Sequence, residues 1–379
     1  MKLGDFIQQP KGFKAFVPGK FPPVEPFEFS KLTEQLHAKA SLLVGKLDGV
    51  TQLLPDVDLF IFMYARKEAA LSSEIEGTKA TMSDAIRAEV EMTSDLPKDV
   101  DRILHYIKAM NQGLHRLESL SLSNRLIREV HKTLFEGTGD APGKTPGEFR
   151  TTQNWIGGAS PATARFVPPP APEMRRSLSD WERFLHEKDN ITPLIKTALM
   201  HVQFETIHPF LDGNGRVGRL LITFYLCHQG ILERPVLYIS EFFKKHREVY
   251  FDLLEGYHNK GEVEPWVNFF LEGVAHVAEG AVATAKKINT LREEDMAKIQ
   301  AIGGLRAKSG MIVLRKLYEL PIVNVRKVEE WTNLSRPAAN GLVAALMKEG
   351  ILVQRNQRTK YGRDFEYKKY LKLFTDETK

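Results

Sequence analysis

The segment from His208 to Arg219 concentrates residue types that act on phosphate groups. Gly213, Asn214 and Gly215 tolerate the backbone dihedrals that turn successive N–H groups toward a bound anion. Pro209 ends the helix that precedes this turn, and the apolar residues after Arg219 predict a second helix. A helix that starts at such a turn adds further N–H donors at its N-terminus. The spacing therefore predicts an anion cradle between two helices.

Four charged or titratable side chains surround this turn. Arg216 and Arg219 are three residues apart, so both guanidinium groups can reach phosphate oxygens from one helix face. Asp212 offers the hard oxygen ligand that Mg²⁺ takes beside phosphates. His208 can accept a proton near neutral pH. Together these residues predict chemistry on a nucleotide polyphosphate.

The same run resembles the signature of Fic proteins, His-x-Phe-x-(Asp/Glu)-Gly-Asn-Gly-Arg-x-x-Arg, at every specified position. The resemblance implies transfer of AMP from ATP to a hydroxyl side chain of a target protein. It implies that His208 deprotonates that hydroxyl, that Asp212 binds Mg²⁺, that Phe210 anchors the loop and that Arg219 meets the γ-phosphate. The ATP-binding residues implied by the motif are Phe210, Leu211, Asp212, Gly213, Asn214, Gly215, Arg216 and Arg219. The related Doc kinases carry lysine in place of Arg216 and alanine in place of Gly213, which disfavours a kinase.

Two segments outside the motif extend the resemblance. The Gly157-Gly158 pair between two short β-prone runs predicts an exposed hairpin. In Fic proteins such a flap, here residues 155–167, pairs with the backbone of the target segment that carries the Ser, Thr or Tyr hydroxyl; a plain surface loop is the alternative. Tyr250 and Asn259 fall near where the family packs adenine, and core packing is an equal alternative for the tyrosine.

The segment Ser72-Ser73-Glu74-Ile75-Glu76-Gly77 resembles the inhibitory pattern of the family, (Ser/Thr)-x-x-x-Glu-(Gly/Asn). The resemblance implies that a helix carrying Ser72 and Glu76 and ending at Gly77 lies against the nucleotide pocket. It also implies that Glu76 pairs with Arg219 and inhibits the enzyme. A helix-terminal carboxylate in solvent is the alternative.

Apolar residues recur at three- and four-residue steps through most of the chain, so the predicted fold class is all-α: a Fic-type helical core with a short β-hairpin flap, plus a C-terminal winged helix-turn-helix domain. The predicted helices begin near Ser30 and continue at 56–76, 80–91, 98–119, 122–135, 173–188, 193–207, 216–229, 241–258 and 264–298. Residues 1–30 lack a helical period and predict an extended arm. The predicted domains are an N-terminal helical region at 1–110, the catalytic core at 111–300 and the winged helix-turn-helix at 305–379, with the boundary at Gly303-Gly304.

The segment from Ala301 to Lys379 is basic, with 16 Lys and Arg against 8 Asp and Glu, whereas the whole chain carries a net charge of only +5. Helical patterns at 309–319, 324–331 and 335–349 precede a basic turn from Arg355 to Arg363. Such a domain can contact DNA through Ser335, Arg336 and Asn340, or it can contact a protein. The charge alone is equally compatible with an ordinary basic surface that faces solvent and binds no partner.

The composition of the chain excludes several classes of protein. A single cysteine, Cys227, excludes an internal disulfide framework and a Cys-rich zinc site. No apolar stretch approaches the roughly 18–20 residues of a membrane span, and the start lacks an apolar signal core, so we expect a cytoplasmic protein with no membrane contact. Formation of a homodimer remains an open alternative. Two alternative functions also stay open: a DNA-binding regulator whose core acts as a sensor, and hydrolytic removal of AMP with Glu76 orienting water.

Overall fold

The computed structural model describes residues 1–52, 57–90, 96–139, 143–356 and 362–375, apart from the side chain of Leu59. Its body is helical, as the sequence predicts. The helices of the body are α1 (Lys31–Gln52), α2 (Val57–Ile75), α3 (Met82–Glu89), α4 (Val100–Leu117), α5 (Asn124–Phe135), α6 (Ala171–His186), α7 (Pro193–Ile207), α8 (Asn214–His228), α9 (Ser240–Lys245), α10 (Arg247–Lys260) and α11 (Val263–Ile302).

Helices α7 and α8 lie at the centre of the body. Every residue of α7 from Leu194 to Ile207 is buried, and so is most of α8. A helix that is enclosed on all sides is held in place by its neighbours, so its ends are fixed in space. The phosphate-binding motif lies at the junction of these two helices, which makes that junction a rigid platform.

The N-terminal segment differs from the predicted extended arm. Strands β1 (Gly4–Gln8) and β2 (Lys14–Pro18) form an antiparallel hairpin that pairs Gly4 with Pro18. The sequence pattern missed it because β1 is largely exposed and has no apolar alternation. Strand β2 is buried, and Phe16 N donates a hydrogen bond to Val167 O at 2.9 Å. The hairpin therefore braces the chain that leaves the flap.

The flap also differs from prediction. Between residues 155 and 167 the described backbone forms one isolated antiparallel bridge, Ile156 with Phe166, in place of a two-stranded ladder. Gly157 and Gly158 follow the bridge at once with φ of 68° and 72°. These left-handed dihedrals turn the chain away before a second pair can form. The flap is a loop closed at its base by a single bridge.

One predicted helix is divided into two. The single helix predicted at 241–258 is broken at His246, which separates α9 from α10 with φ of −112° and ψ of 37°. The His246 ring packs 4.5 Å from the Phe242 ring, centroid to centroid. Helix α10 starts directly after the break and lines the cleft described below.

The C-terminal segment contains α12 (Gly304–Glu319), β3 (Ile322–Asn324), α13 (Val325–Thr332), α14 (Arg336–Lys348), β4 (Val353–Gln354), β5 (Asp364–Glu366) and α15 (Lys368–Thr375). The strands form an antiparallel sheet in the order β3-β5-β4. Strand β3 and helix α15 were not predicted, and residues 357–361 of the predicted basic wing lie outside the described residues. The segment packs on the body, since the rings of Phe374 and Tyr64 meet edge to face at 5.4 Å. No helix within the described ranges is long and apolar enough to cross a membrane.

Candidate active site

A cleft of about 500 Å³ opens where α7 meets α8. Its walls are the α7–α8 turn, helix α10, the flap and the end of α2. The lining residues that the sequence singled out are Glu76, Trp155, His208, Leu211, Asp212, Gly213, Asn214, Gly215, Arg219 and Tyr250. Most of the predicted motif therefore faces one cavity.

His208 ends α7 in a left-handed conformation with φ of 49°. Its Nδ1 lies 3.3 Å from the carbonyl oxygen of Glu205. That carbonyl can only accept, so this contact favours a proton on Nδ1 and leaves Nε2 free to accept one. Burial, reinforced by the positive charge of Arg150, lowers the pKa of His208 to about 4. The imidazole is therefore neutral at physiological pH, as a general base must be.

Three residues that the sequence analysis missed hold this turn in place. The buried guanidinium of Arg150 donates from Nε to His208 O at 2.9 Å. Asn154 Nδ2 donates to Phe210 O at 2.8 Å. His131 contacts Asp212 O through Nε2 at 3.0 Å and stacks on Phe210 with ring centroids 3.8 Å apart. No local signal marks them, because each reaches the turn from a distant part of the sequence.

The turn itself is closed by Asn214 and the fully buried Phe210. Asn214 Oδ1 accepts from Phe210 N at 2.8 Å, and Asn214 Nδ2 donates to Phe210 O at 2.9 Å. Gly213 has φ of 80°, the conformation expected at this position. Within the described residues no side chain caps the start of α8. Its first N–H groups are thus left to the cleft, where an anion can accept from them.

Asp212 is half-exposed at the cleft. Although burial opposes it, the hydrogen bond from Lys144 and the charge of Arg216 lower the pKa of Asp212, so its carboxylate is ionised. One carboxylate beside a phosphate cradle fits Mg²⁺, which binds one or two carboxylates together with phosphates and water. In the described ranges no group of three or more His, Cys, Asp or Glu side chains could hold a metal by itself. Magnesium would therefore share its ligands with a bound nucleotide. Lys144, which pairs with Asp212, was not predicted.

The two motif arginines are placed differently. Arg219 lines the cleft. Arg216 is also buried, but its guanidinium lies 4.7 Å from the centroid of the Phe135 ring, and Arg216 is not among the cleft-lining residues. Its Nη2 is 3.7 Å from Asp212 Oδ1.

Arg219 is held by the end of α2. Its Nη2 donates to Glu76 Oε1 at 2.8 Å and to Ser72 O at 3.0 Å, and its Nε donates to Ser72 Oγ at 2.8 Å. A Cβ added to Gly215 would be 2.3 Å from Glu76 Oε1, so the carboxylate lies against the first turn of α8. Although burial opposes it, the charge of Glu76 raises the pKa of Arg219. Gly77 follows with φ of 90° and ends the helical region.

Of the two residues proposed to pack against adenine, one lies in the cleft and the other lies outside it. Tyr250 lines the cleft and is also core, because its hydroxyl is 3.0 Å from His201 Nε2 and its ring stacks on Phe243 at 4.4 Å. Asn259 is exposed, outside the cleft lining, and its Nδ2 donates to Glu255 Oε1 at 3.3 Å.

Ion pairs join the flap to α10. Arg165 Nε donates to Glu255 Oε2 at 2.7 Å, and Arg165 Nη2 also pairs with Asp252. At the other side of the flap, the Trp155 side chain is 40% exposed. The flap therefore covers one wall of the cleft while it keeps an aromatic surface open to solvent.

Two stretches of the chain match models of known protein families. Residues 34–115 match the model of the Fic/DOC family N-terminal region, and residues 121–226 match the model of the Fic/DOC family. The chain contains a Fic domain preceded by a Fic-type N-terminal region. The second match ends in α8 and contains the whole His208–Arg219 motif, and the first contains Glu76.

Curated relatives of this Fic protein carry adenylyltransferase names. It is 26% identical over 294 residues to "Probable protein adenylyltransferase aq_aa38" of Aquifex aeolicus, covering 74% of this chain and 77% of the relative. It is 30% identical over 175 residues to "Protein adenylyltransferase Fic" of Culex quinquefasciatus, covering 46% of this chain. The chain spans only 31% of the length of that insect relative.

Solved structures support the fold. A Fic family protein from Desulfovibrio desulfuricans G20 superposes with a TM-score of 0.58 at 20% identity, covering 91% of this chain and 98% of that one. Fic-1 from C. elegans gives a TM-score of 0.51 at 20% identity, covering 68% of this chain and 73% of that one. The mostly helical Fic-type fold predicted from the sequence is confirmed.

Proposed function

We propose that this chain is a protein adenylyltransferase, which transfers AMP from ATP to a hydroxyl side chain of a target protein, and that Glu76 inhibits it. The adenylyltransferase names of its relatives support the general activity. The observation that carries the proposal is the convergence of His208, Asp212, Gly213–Gly215 and Arg219 on one cleft.

The reaction requires a base on one side of the α-phosphate and a phosphate cradle on the other. His208 Nε2 takes the proton of the acceptor hydroxyl, and the hydroxyl oxygen forms a bond to the α-phosphorus. The bond between that phosphorus and the oxygen bridging to the β-phosphate breaks, and pyrophosphate leaves. The first turn of α8 and Arg219 would hold the phosphates in line for this displacement. Mg²⁺ bound with Asp212 would supply charge neutralisation on the phosphates.

Inhibition by Glu76 follows from what its carboxylate contacts. It pairs with Arg219 and lies against Gly215, which are the two groups that an anionic phosphate would need. A negative charge at the start of α8 also repels a second one there. ATP bound beside Glu76 would therefore lack Arg219 and sit out of line for attack.

The flap is the proposed docking site for the target. An extended target segment would add its backbone to the edge near Ile156 and so bring a Ser, Thr or Tyr hydroxyl to His208. Trp155, exposed beside that edge, would pack against the target.

The test uses ATP labelled at either the α- or the γ-phosphate, with the purified chain and a lysate of the source organism. Label from the α-phosphate that becomes covalently attached to protein supports the proposal, and mass spectrometry would then locate the AMP on a hydroxyl residue. Transfer of the γ-phosphate would show a kinase and contradict it.

We propose DNA contact as a second function, for the C-terminal segment. The start of α14 exposes Ser335, Arg336 and Pro337, as a recognition helix requires. Two ion pairs weaken the case for DNA contact. Arg336 pairs with Glu329 at 3.2 Å and Arg355 pairs with Glu366 at 3.3 Å, so part of the basic charge is already neutralised. Arg358 of the predicted wing lies outside the described residues.

Binding of the full chain to a labelled random duplex tests this function. We expect log K to fall with log salt by roughly 0.9 per phosphate contacted, and Arg336→Ala with Arg363→Ala to flatten that slope. No retardation of the duplex even at low salt would contradict DNA contact and favour a protein-binding segment.

A further inference from the structure

Glu205 is a buried acid directly beneath the proposed base. It lies on α7 three residues before His208, lines the cleft and is only 6% exposed. Its Oε2 is 3.8 Å from His208 Nδ1, the nitrogen that also faces the Glu205 carbonyl oxygen at 3.3 Å. Its Oε1 is buried and has no hydrogen-bond partner among the described residues. An unpaired buried carboxyl oxygen is costly to a fold, so its position beside the proposed base points to a functional role.

The carboxyl group is confined to this position by close packing between α7 and α8. A Cβ added to Gly218 of α8 would be 2.4 Å from Glu205 Oε1 and 3.3 Å from His201 Cε1. Gly218 thus leaves room for the carboxyl, which lies buried between α7 and α8. The packing of these two helices therefore places the Glu205 carboxyl beside His208.

We infer that Glu205 is a positioning residue for His208, whose carboxylate stabilises the positive charge that the imidazole acquires when it takes the acceptor hydroxyl proton. This inference rests on the proposed adenylyl transfer and adds a role that the sequence motif does not assign. An opposite charge within 4–6 Å shifts a pKa by about 1–3 units, so an ionised Glu205 would make His208 a stronger base by at least about tenfold.

The titratable groups around Glu205 come from four helices. From its own helix they are His201 and His208, from the end of α2 Glu76, from α8 Arg219 and from α10 Tyr250. Burial raises the pKa of Glu205 to about 8, with Arg219 opposing and Glu76 reinforcing the shift. Burial lowers the pKa of His201 to about 3 and raises that of Tyr250, so both neighbours stay neutral across the range in question.

These values place the ionisation of Glu205 just above neutral pH. Below about pH 8 Glu205 is a neutral carboxylic acid, and His208 acts without an anionic partner. Above it, Glu205 has already released its proton to solvent before the reaction begins. The hydroxyl proton then goes to His208 Nε2, and no proton passes through Glu205. The rate of adenylyl transfer should therefore rise as the pH increases through about 8.

The experiment measures this rise in the full chain carrying Glu76→Gly, with and without Glu205→Gln. Initial rates of α-phosphate labelling are taken at saturating ATP and Mg²⁺ from pH 6.5 to 9.5. We expect the Glu76→Gly parent to gain about tenfold across the range. The midpoint of this rise should lie below 8, because the Glu76 charge that helps to raise the pKa of Glu205 is absent from the parent. Glu205→Gln should hold the parent's low-pH rate throughout. Glu264→Gln is the control and should keep the parent's profile, because Glu264 lies outside the cleft lining and its carboxylate accepts from Ser30 and Thr33.

Three results would overturn the inference. If Glu205→Gln keeps the rise, or if the parent shows none, Glu205 does not act on His208; the second result needs no variant of Glu205 to fold. If the parent labels nothing at any pH, the proposed transfer itself fails and this role fails with it. A thermal unfolding scan of each protein accompanies the rates, so that a loss of folded protein is not read as a loss of activity.

Discussion

The carboxylate of Glu76 and the backbone of Gly215 are in direct contact: a Cβ at Gly215 would lie 2.3 Å from Glu76 Oε1. An acid from α2 thus reaches the first turn of α8, where a helix N-terminus favours an anion. The same oxygen accepts from Arg219 at 2.8 Å. One carboxylate therefore occupies both elements that a nucleotide phosphate would use, which is the structural basis of the proposed inhibition.

Ser72→Ala should weaken the inhibition without removing it. The substitution deletes the hydroxyl that accepts from Arg219 Nε at 2.8 Å, but it leaves the Ser72 carbonyl and the Glu76 ion pair in place. We expect labelling from the α-phosphate of ATP to rise above wild type and to stay below that of Glu76→Gly.

Ser73→Ala is the matched control, because the neighbouring hydroxyl is buried and has no hydrogen-bond partner within the described part of the chain. It should leave labelling at the wild-type level. Equal activation by Ser72→Ala and Ser73→Ala would mean that loosening α2, and not freeing Arg219, raises the activity.

His208→Ala should abolish transfer while ATP still binds. The cradle at Gly213–Gly215 and Arg219 is unchanged, whereas loss of a positioned base typically costs about 10²–10⁴-fold in rate. In the Glu76→Gly background, labelling gives the rate and isothermal titration with Mg-ATP gives the affinity. A loss of ATP affinity as large as the loss of rate would show that His208 holds the cradle together and would count against its role as base.

Acid should destabilise the fold through its buried histidines. Burial lowers the pKa of His131 and His208 to about 4 and that of His201 and His258 to about 3, from 6.5 in the unfolded chain. Below pH 6.5 the unfolded state binds these protons and the folded state does not, so stability falls as the pH drops toward 4. Glu205, with its raised pKa, opposes this trend with a single proton.

His258→Phe should reduce that acid sensitivity. Neither ring nitrogen of His258 has a hydrogen-bond partner in the described ranges, and its ring stacks on Phe166 at 3.9 Å, so phenylalanine can replace it. Urea midpoints at pH 7 and pH 5 should differ less for this variant than for wild type. His115→Gln, at an exposed site, is the control. An unchanged pH dependence in His258→Phe would show that this ring is already protonated in the folded protein.

Gly113→Ala should destabilise the core. A Cβ at Gly113 of α4 would lie 2.2 Å from the tip of the buried Phe224 ring on α8, so the ring would have to move. Overpacking of this kind costs about 1–3 kcal/mol. Gly45→Ala on α1, where nothing lies within 4 Å, should instead stabilise the chain by about 0.5–1 kcal/mol. Thermal unfolding of the two variants distinguishes them, and a Tm for Gly113→Ala at or above wild type would refute the close contact.

Local sequence signals predicted the elements around the site well. Helix α7 has the predicted bounds 193–207, because Pro193 starts it and the His208-Pro209 step ends it. The β1–β2 hairpin and the break at His246 were missed because tertiary contacts determine them. Phe16 of β2 is fixed by a hydrogen bond to Val167, and the His246 ring meets the Phe269 ring of α11 edge to face at 6.4 Å.

The site residues also fall into two groups, those that local sequence predicted and those that only the fold brings together. The motif residues are contiguous, so their spacing alone indicated a cradle with a base and a metal ligand. Arg150, His131, Lys144 and Glu205 support or face that cradle, yet three of them come from residues 131–150 and none carries a local signature. Their roles depend on burial and on distances across the fold, which a linear pattern does not contain.

The most direct test compares wild type, Glu76→Gly, and Glu76→Gly with His208→Ala, each incubated with Mg²⁺ and α-labelled ATP. Removing the Glu76 carboxylate frees Arg219 and the first turn of α8, so we expect Glu76→Gly to label itself or its target about 10²-fold faster than wild type. Adding His208→Ala should return labelling to background. If Glu76→Gly labels no faster than wild type at saturating ATP, Glu76 does not inhibit this protein and the end of α2 is only structural.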